Sequence, residues 1–266
     1  MKKLEFTENE LNKIKNLYLS GKPCSQICVL FNCHESTIKN KLKELNVKFR
    51  TNGEAHKKYS LDEKYFEKID TKDKAYFLGL LIADGHANKK GFEISLQIED
   101  RKVIDLFKSY IKYTGNLKIK KDSRKEIYKD SVRLTISRQK IAIDLSKFGI
   151  KQGKSYNAYF PDIPEEFHSH FIRGVFDGDG CICYSENRRN IFDICGNQEL
   201  IEEIKNCLMR NCNITNKKLN NPNKNKNFVH LVVGNKKEIE NIRNFIYSDC
   251  ENLFINRKHY KMFNLI

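Results

Sequence analysis

The sequence predicts an α+β chain in which a small all-α module precedes two copies of an αββαββα unit. Two observations carry the duplication and its β content. Phe77-Leu78-Gly79-Leu80-Leu81-Ile82-Ala83-Asp84-Gly85 recurs as Ile172-Arg173-Gly174-Val175-Phe176-Asp177-Gly178-Asp179-Gly180, and internal repetition is the signature of a repeated structural unit. Phe92, Ile94, Leu96 and Ile98 alternate with Glu93, Ser95, Gln97 and Glu99, the period of a half-buried strand. A third observation sets the start of the chain apart: its apolar residues recur at helical spacing, over residues 1–46.

Thr7 followed by Glu10 has the form of a capping box, and Leu11, Ile14, Leu17 and Tyr18 fall on one face of the helix it opens. Ser20-Gly21 stops that helix. A second runs from Cys24 to Phe31 with Ile27, Leu30 and Phe31 inward, Asn32-Cys33 makes a tight turn, and a third runs from His34 to Leu45 with Ile38, Leu42 and Leu45 inward. Two short helices joined by a tight turn read as a helix-turn-helix, whose second helix contacts bases from its N-terminal residues. Those are Ser36, Thr37, Lys39 and Asn40, with Lys43 further along near phosphate. A three-helix bundle with no such role is the plainer alternative; the basic, amide-rich outward face favours DNA. Residues 47–70 read as a linker, basic and weakly periodic over Val47 to Lys58.

The first half, residues 71–160, continues from its repeat motif into the alternating strand, a helix marked by Val103, Leu106, Phe107 and Tyr110, strands at Leu117 to Lys121 and Ser131 to Ser137, and a helix at Ile141 to Phe148. The second half, residues 161–266, has strands near Cys181 to Tyr184 and Ile191 to Cys195, a helix from Glu199 to Met209, strands at Lys217 to Asn220 and Phe228 to Val233, and a helix at Glu238 to Ile246.

Composition narrows the partners. Over 266 residues, 49 Lys and Arg against 34 Asp and Glu leave a net charge of +15, which favours an anionic partner, nucleic acid being the commonest. The N-terminal 58 residues alone carry 12 basic and 6 acidic side chains. Met1 to Glu10 is charged and lacks the apolar stretch of a signal peptide, and the longest apolar run, Tyr76 to Ala83, falls far short of the roughly 20 residues of a membrane helix. Nine cysteines without a secretory signal read as reduced thiols of a cytoplasmic protein with no membrane association. Cys24, Cys28, Cys33 and His34 match no common zinc spacing and read as small core thiols.

The repeated motif carries the chemistry. Each copy is a short apolar helix ended by Gly, with small residues four apart, Gly79 and Ala83 in one and Gly174 and Gly178 in the other. Small residues at that spacing let two helix backbones approach closely, so the copies can pack as the seam between the halves. Asp84 and Asp179 stand at the last position before each Gly, where the helix C-terminus already carries about half a negative charge. Two such carboxylates brought together disfavour joint ionisation unless a cation neutralises them, and hard oxygen ligands suit magnesium. A pair of Asp residues merely capping helices is the alternative, weakened by the repetition.

These residues resemble the LAGLIDADG homing endonucleases, from Tyr59 to the C-terminus. The resemblance implies two αββαββα halves whose sheets form a saddle over double-stranded DNA, in a monomer with internal pseudo-twofold symmetry. It implies Asp84 and Asp179 as metal-binding catalytic acids, the carbonyls of Ala83 and Gly178 facing the metals, and two or three Mg2+ ions. Asp177 occupies a position that varies in the family and is expected to make a structural hydrogen bond. Lys154-Ser155-Tyr156 is echoed by Lys258-His259-Tyr260. By the resemblance Lys154 and Lys258 are candidates for the basic groups near each scissile phosphate; surface lysines are the alternative. Gln97 resembles a polar residue that some members place near the active site. Arg133, Thr135, Lys118 and Lys120 project from alternating strand positions toward a base-reading face, with the face of each left open. The implied activity is hydrolysis of both strands of a long, pseudo-palindromic DNA target. A transcription regulator on the same scaffold and an intron RNA maturase are the rival readings.

Overall fold

Three helices account for the N-terminal residues in the computed structural model, which describes residues 6–49, 59–121, 129–151, 158–184, 190–222 and 227–264. α1 (Glu8–Leu19) opens on the capping box, Thr7 accepting from the Glu10 amide while the Glu10 carboxylate accepts from the Thr7 amide. Gly21, at φ +105°, turns the chain into α2 (Cys24–Leu30), and Asn32, at φ +45°, turns it into α3 (Glu35–Glu44). Ile14, Tyr18, Cys24, Ile27, Ile38 and Leu42 close a core of their own. His34 caps α3 through Nδ1, which receives the Ser36 amide, so its ring has a local structural use.

The chain divides into two units, residues 1–60 and 61–266. The stretch expected as a linker contributes to both. Val47 is buried in the three-helix core and Phe49 packs on Tyr18 at 5.7 Å, while Tyr65, Phe66 and Ile69 are buried in the core of the second unit. Residues 50–58 lie outside the described residues.

The second unit repeats one order of elements, with one strand fewer among the described residues of its second half. Its first half runs α4 (Lys72–Asp84), β1 (Gly85–Asn88), β2 (Gly91–Gln97), α5 (Arg101–Tyr110), β3 (Lys118–Lys120), β4 (Ser131–Ile136) and α6 (Gln139–Lys147). The second half runs α7 (His168–Asp179), β5 (Gly180–Tyr184), β6 (Asn190–Asn197), α8 (Gln198–Cys212), β7 (Phe228–Val233) and α9 (Lys236–Tyr247). A further helix, α10 (Asn256–Asn264), follows where no helix was expected. The strand expected at Lys217 to Asn220 is reduced to one bridge, Asn220 to His230.

The first sheet has the order β1-β2-β4-β3 and the second β5-β6-β7, all neighbours antiparallel. Alternation places Phe92, Ile94, Leu96, Val132, Leu134 and Ile136 in the core, and Phe192, Ile194, Leu231 and Val233 do the same in the second sheet. Among the described residues no helix is long and apolar enough to cross a membrane.

Candidate active site at the helix seam

α4 and α7 pack against each other so closely that side chains are excluded from the crossing. A Cβ on Gly79 would meet the Phe171 carbonyl oxygen at 2.1 Å and the Val175 nitrogen at 3.0 Å. A Cβ on Gly174 would meet the Tyr76 oxygen at 2.1 Å and the Leu80 nitrogen at 2.7 Å. Tyr76 and Phe171 occupy the same repeat position, as do Leu80 and Val175, so the contacts are reciprocal, as in a self-complementary twofold interface. Everything on α4 from Ala75 to Ile82 is buried, which a helix needs to be when partners surround it.

The motif glycines after each Asp work differently from the expected cap. Gly85 (φ −79°, ψ 155°) and Gly180 (φ −100°, ψ 165°) are extended and lead directly into β1 and β5. Room is their reason: a Cβ on Gly85 would lie 2.5 Å from the Leu81 oxygen, and one on Gly180 2.8 Å from the Phe176 oxygen. Each helix therefore ends abruptly, leaving Asp84 and Asp179 exposed at neighbouring C-termini. The two ends touch. A Cβ on Gly178 would fall 2.2 Å from the Ala83 Cβ and 3.1 Å from Asp84 Oδ2, so the Asp84 carboxylate lies over the sister helix one residue from Asp179.

Lys258 corrects the sequence reading. It is neither a surface lysine nor a side chain reaching outward to phosphate. Only 5% exposed, it sits in the first turns of α10 and donates from Nζ to the carbonyls of Phe176 and Gly178, both at 2.9 Å. The Gly178 carbonyl, expected to face a metal, already accepts one hydrogen bond from this ammonium. Burial pulls the Lys258 pKa down; Asp177 acts to hold the charge, the neighbouring Arg257 acts against it, and Asp84 and Asp179 add smaller support. The ammonium also faces the negative end of α7. Lys154, its counterpart in the repeat, lies outside the described residues.

Below this layer Asp177 makes the expected structural bonds. Its Oδ2 accepts from the Tyr76 hydroxyl at 2.7 Å, across the seam, and from the Ile255 amide at 2.8 Å. Full burial raises its pKa to about 6. Arg173, completely buried, donates to the Leu253 and Ile246 carbonyls, which ties α7 to the C-terminal segment. Cys195 Sγ donates to the Asp179 carbonyl at 3.1 Å, and burial pushes this thiol up to about 12.

The remaining candidates lie on outer faces. Register sets Lys118 opposite Arg133, Lys120 opposite Ser131, Arg133 opposite Ser95 and Thr135 opposite Glu93, so all four candidates share the open face of the first sheet. Arg133 pairs there with Glu93 at 3.4 Å. Gln97, opposite Ser131 at the end of β2, is exposed on that face. On α3, Ser36, Lys39, Asn40 and Lys43 are exposed and Thr37 half-buried; Ser36 Oγ is 2.8 Å from His34 Nδ1, and Lys39 pairs with Glu35 at 2.7 Å. The sequence reading missed α10, although Ile255, His259 and Met262 recur at i, i+4 and i+7. It also missed Cys195 and Arg257, which left no pattern.

The exposed carboxylate pair fits Mg2+, which takes one or two carboxylates and completes its shell with water and phosphate. No group of three or more His, Cys, Asp or Glu that could hold a metal ion occurs among the described residues.

The family model described as a LAGLIDADG-like domain matches residues 166–247. A probable translation initiation factor IF-2 from Methanocaldococcus jannaschii is 28% identical over 187 residues, covering 65% of this chain; the chain spans only 15% of that relative's length. Similar solved structures include the I-LtrWI LAGLIDADG homing endonuclease bound to target DNA (11% identity, 75% of this chain and 87% of that one, TM-score 0.43). Another is full-length DUF199/WhiA from Thermatoga maritima (14% identity, 77% and 63%, TM-score 0.47). The family match thus falls on residues 166–247 in the second half, and the first half has the same order of helices and strands with one strand more among the described residues.

Proposed function

We propose that this chain is a site-specific, metal-dependent DNA endonuclease that hydrolyses both strands of one duplex target. One observation carries the reading: two copies of the same helix meet through reciprocal glycine contacts and bring Asp84 and Asp179 together at their exposed ends. Carboxylates crowded at two helix C-termini repel one another, and a divalent cation held between them would neutralise that repulsion.

Asp84 and Asp179 would hold the divalent ions. When bound, such ions polarise phosphate oxygens and make water a competent nucleophile near neutral pH. The protein's own contribution is placement. The seam fixes the distance between the acids, and Lys258 fixes the end of α7. Lys118, Lys120, Arg133 and Thr135 present donors to the duplex from the open sheet face, with Gln97 at its edge. Ser36, Thr37, Lys39, Asn40 and Lys43 of the N-terminal unit extend the contact as a helix-turn-helix. Because the two halves differ in sequence, the target need not be a perfect palindrome.

A DNA-binding regulator on the same scaffold is the second reading, favoured by the separate three-helix unit with its exposed polar α3. Incubation with a randomised duplex library and Mg2+, followed by sequencing of the ends, separates the two. A nuclease yields paired breaks at one consensus; a regulator enriches bound duplexes and leaves them intact.

A further inference from the structure

Arg257 and Lys258 stand side by side in the first turn of α10, where the helix's own positive end disfavours cations. Each has a compensating partner. Lys258 holds the Phe176 and Gly178 carbonyls. Arg257 reaches from the second half to the first: its Nε donates to Asp100 Oδ1 at 3.2 Å and Oδ2 at 3.1 Å, and its Nη2 to Oδ2 at 3.0 Å. Asp100 is 5% exposed and lies in the 3-10 turn between β2 and α5. A buried carboxylate stripped of its guanidinium is costly, so this fork constrains the turn that carries Lys258.

We propose that Asp100 and Arg257 are positioning residues that lock the first turn of α10, so that the Lys258 ammonium stays on the Phe176 and Gly178 carbonyls and holds in place the end of α7 that carries Asp179. The inference rests on reading Asp84 and Asp179 as the metal-holding site. It gives the cross-half bridge a purpose beyond stability: the corner that follows β2 in the first half helps place the helix end that carries Asp179 in the second. Neither residue touches the reacting atoms.

The test is lysine acylation by acetic anhydride, read by mass spectrometry on the full chain. In the unaltered protein Lys258 is protected, whereas Lys261, exposed on the same helix, reacts and serves as the internal reference. Arg257→Gln and Asp100→Asn should raise the Lys258 rate toward that of Lys261. Arg257→Lys, which keeps the charge but loses the fork, should fall between and covers the case in which the neutral variants do not fold. Arg101→Gln, which breaks an ordinary exposed pair with Asp105, should change nothing. With the cleavable site, the first two variants should lower kcat and weaken Ca2+ binding by about 10- to 100-fold with KM for DNA unchanged, the range for partners that support a metal site. Unchanged Lys258 protection in folded Arg257→Gln and Asp100→Asn overturns the proposal. So does lost protection with kcat and Ca2+ affinity intact, which would leave the bridge structural. Failure of the unaltered protein to bind cations or cut would remove the nuclease reading instead, and the acylation rates would still decide whether the bridge positions Lys258.

Discussion

Replacing Gly174 by Ala probes the seam where stability and chemistry meet. Helix propensity alone favours the change by about 1 kcal/mol. Packing opposes it more strongly. The added Cβ would lie 2.1 Å from the Tyr76 oxygen and 2.7 Å from the Leu80 nitrogen, against 3.4 Å for ordinary contact. Both neighbours are backbone atoms of a fully packed helix, so no side chain can swing aside; α4 and α7 must separate by about 1 Å. Overpacking costs typically about 1–3 kcal/mol, and rigid partners place this case at or above the upper end. The net expectation is a loss of about 2 kcal/mol or more in urea unfolding. The same displacement moves Asp84 relative to Asp179, and about 1 Å at a reacting centre can lower the rate about 100-fold. Gly234→Ala, with nothing within 4 Å of the new Cβ, is the control and should be neutral in both assays. A Gly174→Ala protein that unfolds at the same urea concentration and cuts at the same rate as the unaltered one would refute the close-packed seam.

Other expectations follow from titration and from the N-terminal unit. His170 is held at about 4, mainly by burial, below its ordinary 6.5, so its neutral form contributes stability that is lost as pH falls from about 6.5 toward 4. Asp177, raised to about 6 from 3.8, acts in the opposite sense: stability present at about pH 4 is lost as pH rises through 6. Asp177→Asn should therefore leave a protein that weakens on acidification, and His170→Gln one that strengthens over the same window; identical urea midpoint profiles in the two variants would contradict this. A chain beginning at Tyr59 should still cut, at higher enzyme concentration and with a shorter footprint; an unchanged footprint would remove the N-terminal unit from the interface. Lys39→Ala should reduce the log–log salt slope of binding by about one if Lys39 meets phosphate. If it reads a base, the loss should be about 1–3 kcal/mol at one position. No change in either would exclude Lys39 from the DNA.

What could be read in advance followed from periodicity and repetition. The capping box, the α3 face and the β2 alternation each have a local cause, so the sequence shows them directly. The repeated Gly and Asp positions exposed the seam because spacing alone puts them on one helix face. Contacts that depend on distant chain segments were not legible. Lys258 looks like any lysine in a lysine-rich chain until α10 folds its ammonium onto the Phe176 and Gly178 carbonyls. Asp100 and Arg257 are 157 residues apart and belong to different halves. Gly85 and Gly180 were read as helix caps because Gly after an apolar helix has two uses, and only the backbone angles distinguish positive φ from close approach. At the sheet edge the halves differ: Lys118 to Lys120 forms a strand on β4, whereas Lys217 to Asn220 makes a single bridge to β7.

The central claim is that Asp84 and Asp179 form one metal-dependent cutting centre at the seam. Its most direct test is the pair Asp84→Asn and Asp179→Asn, measured on the recovered target for cleavage in Mg2+ and for binding by gel shift in Ca2+. The account predicts that each variant loses double-strand cutting while holding the duplex with largely unchanged affinity. Full cleavage by either variant would contradict it.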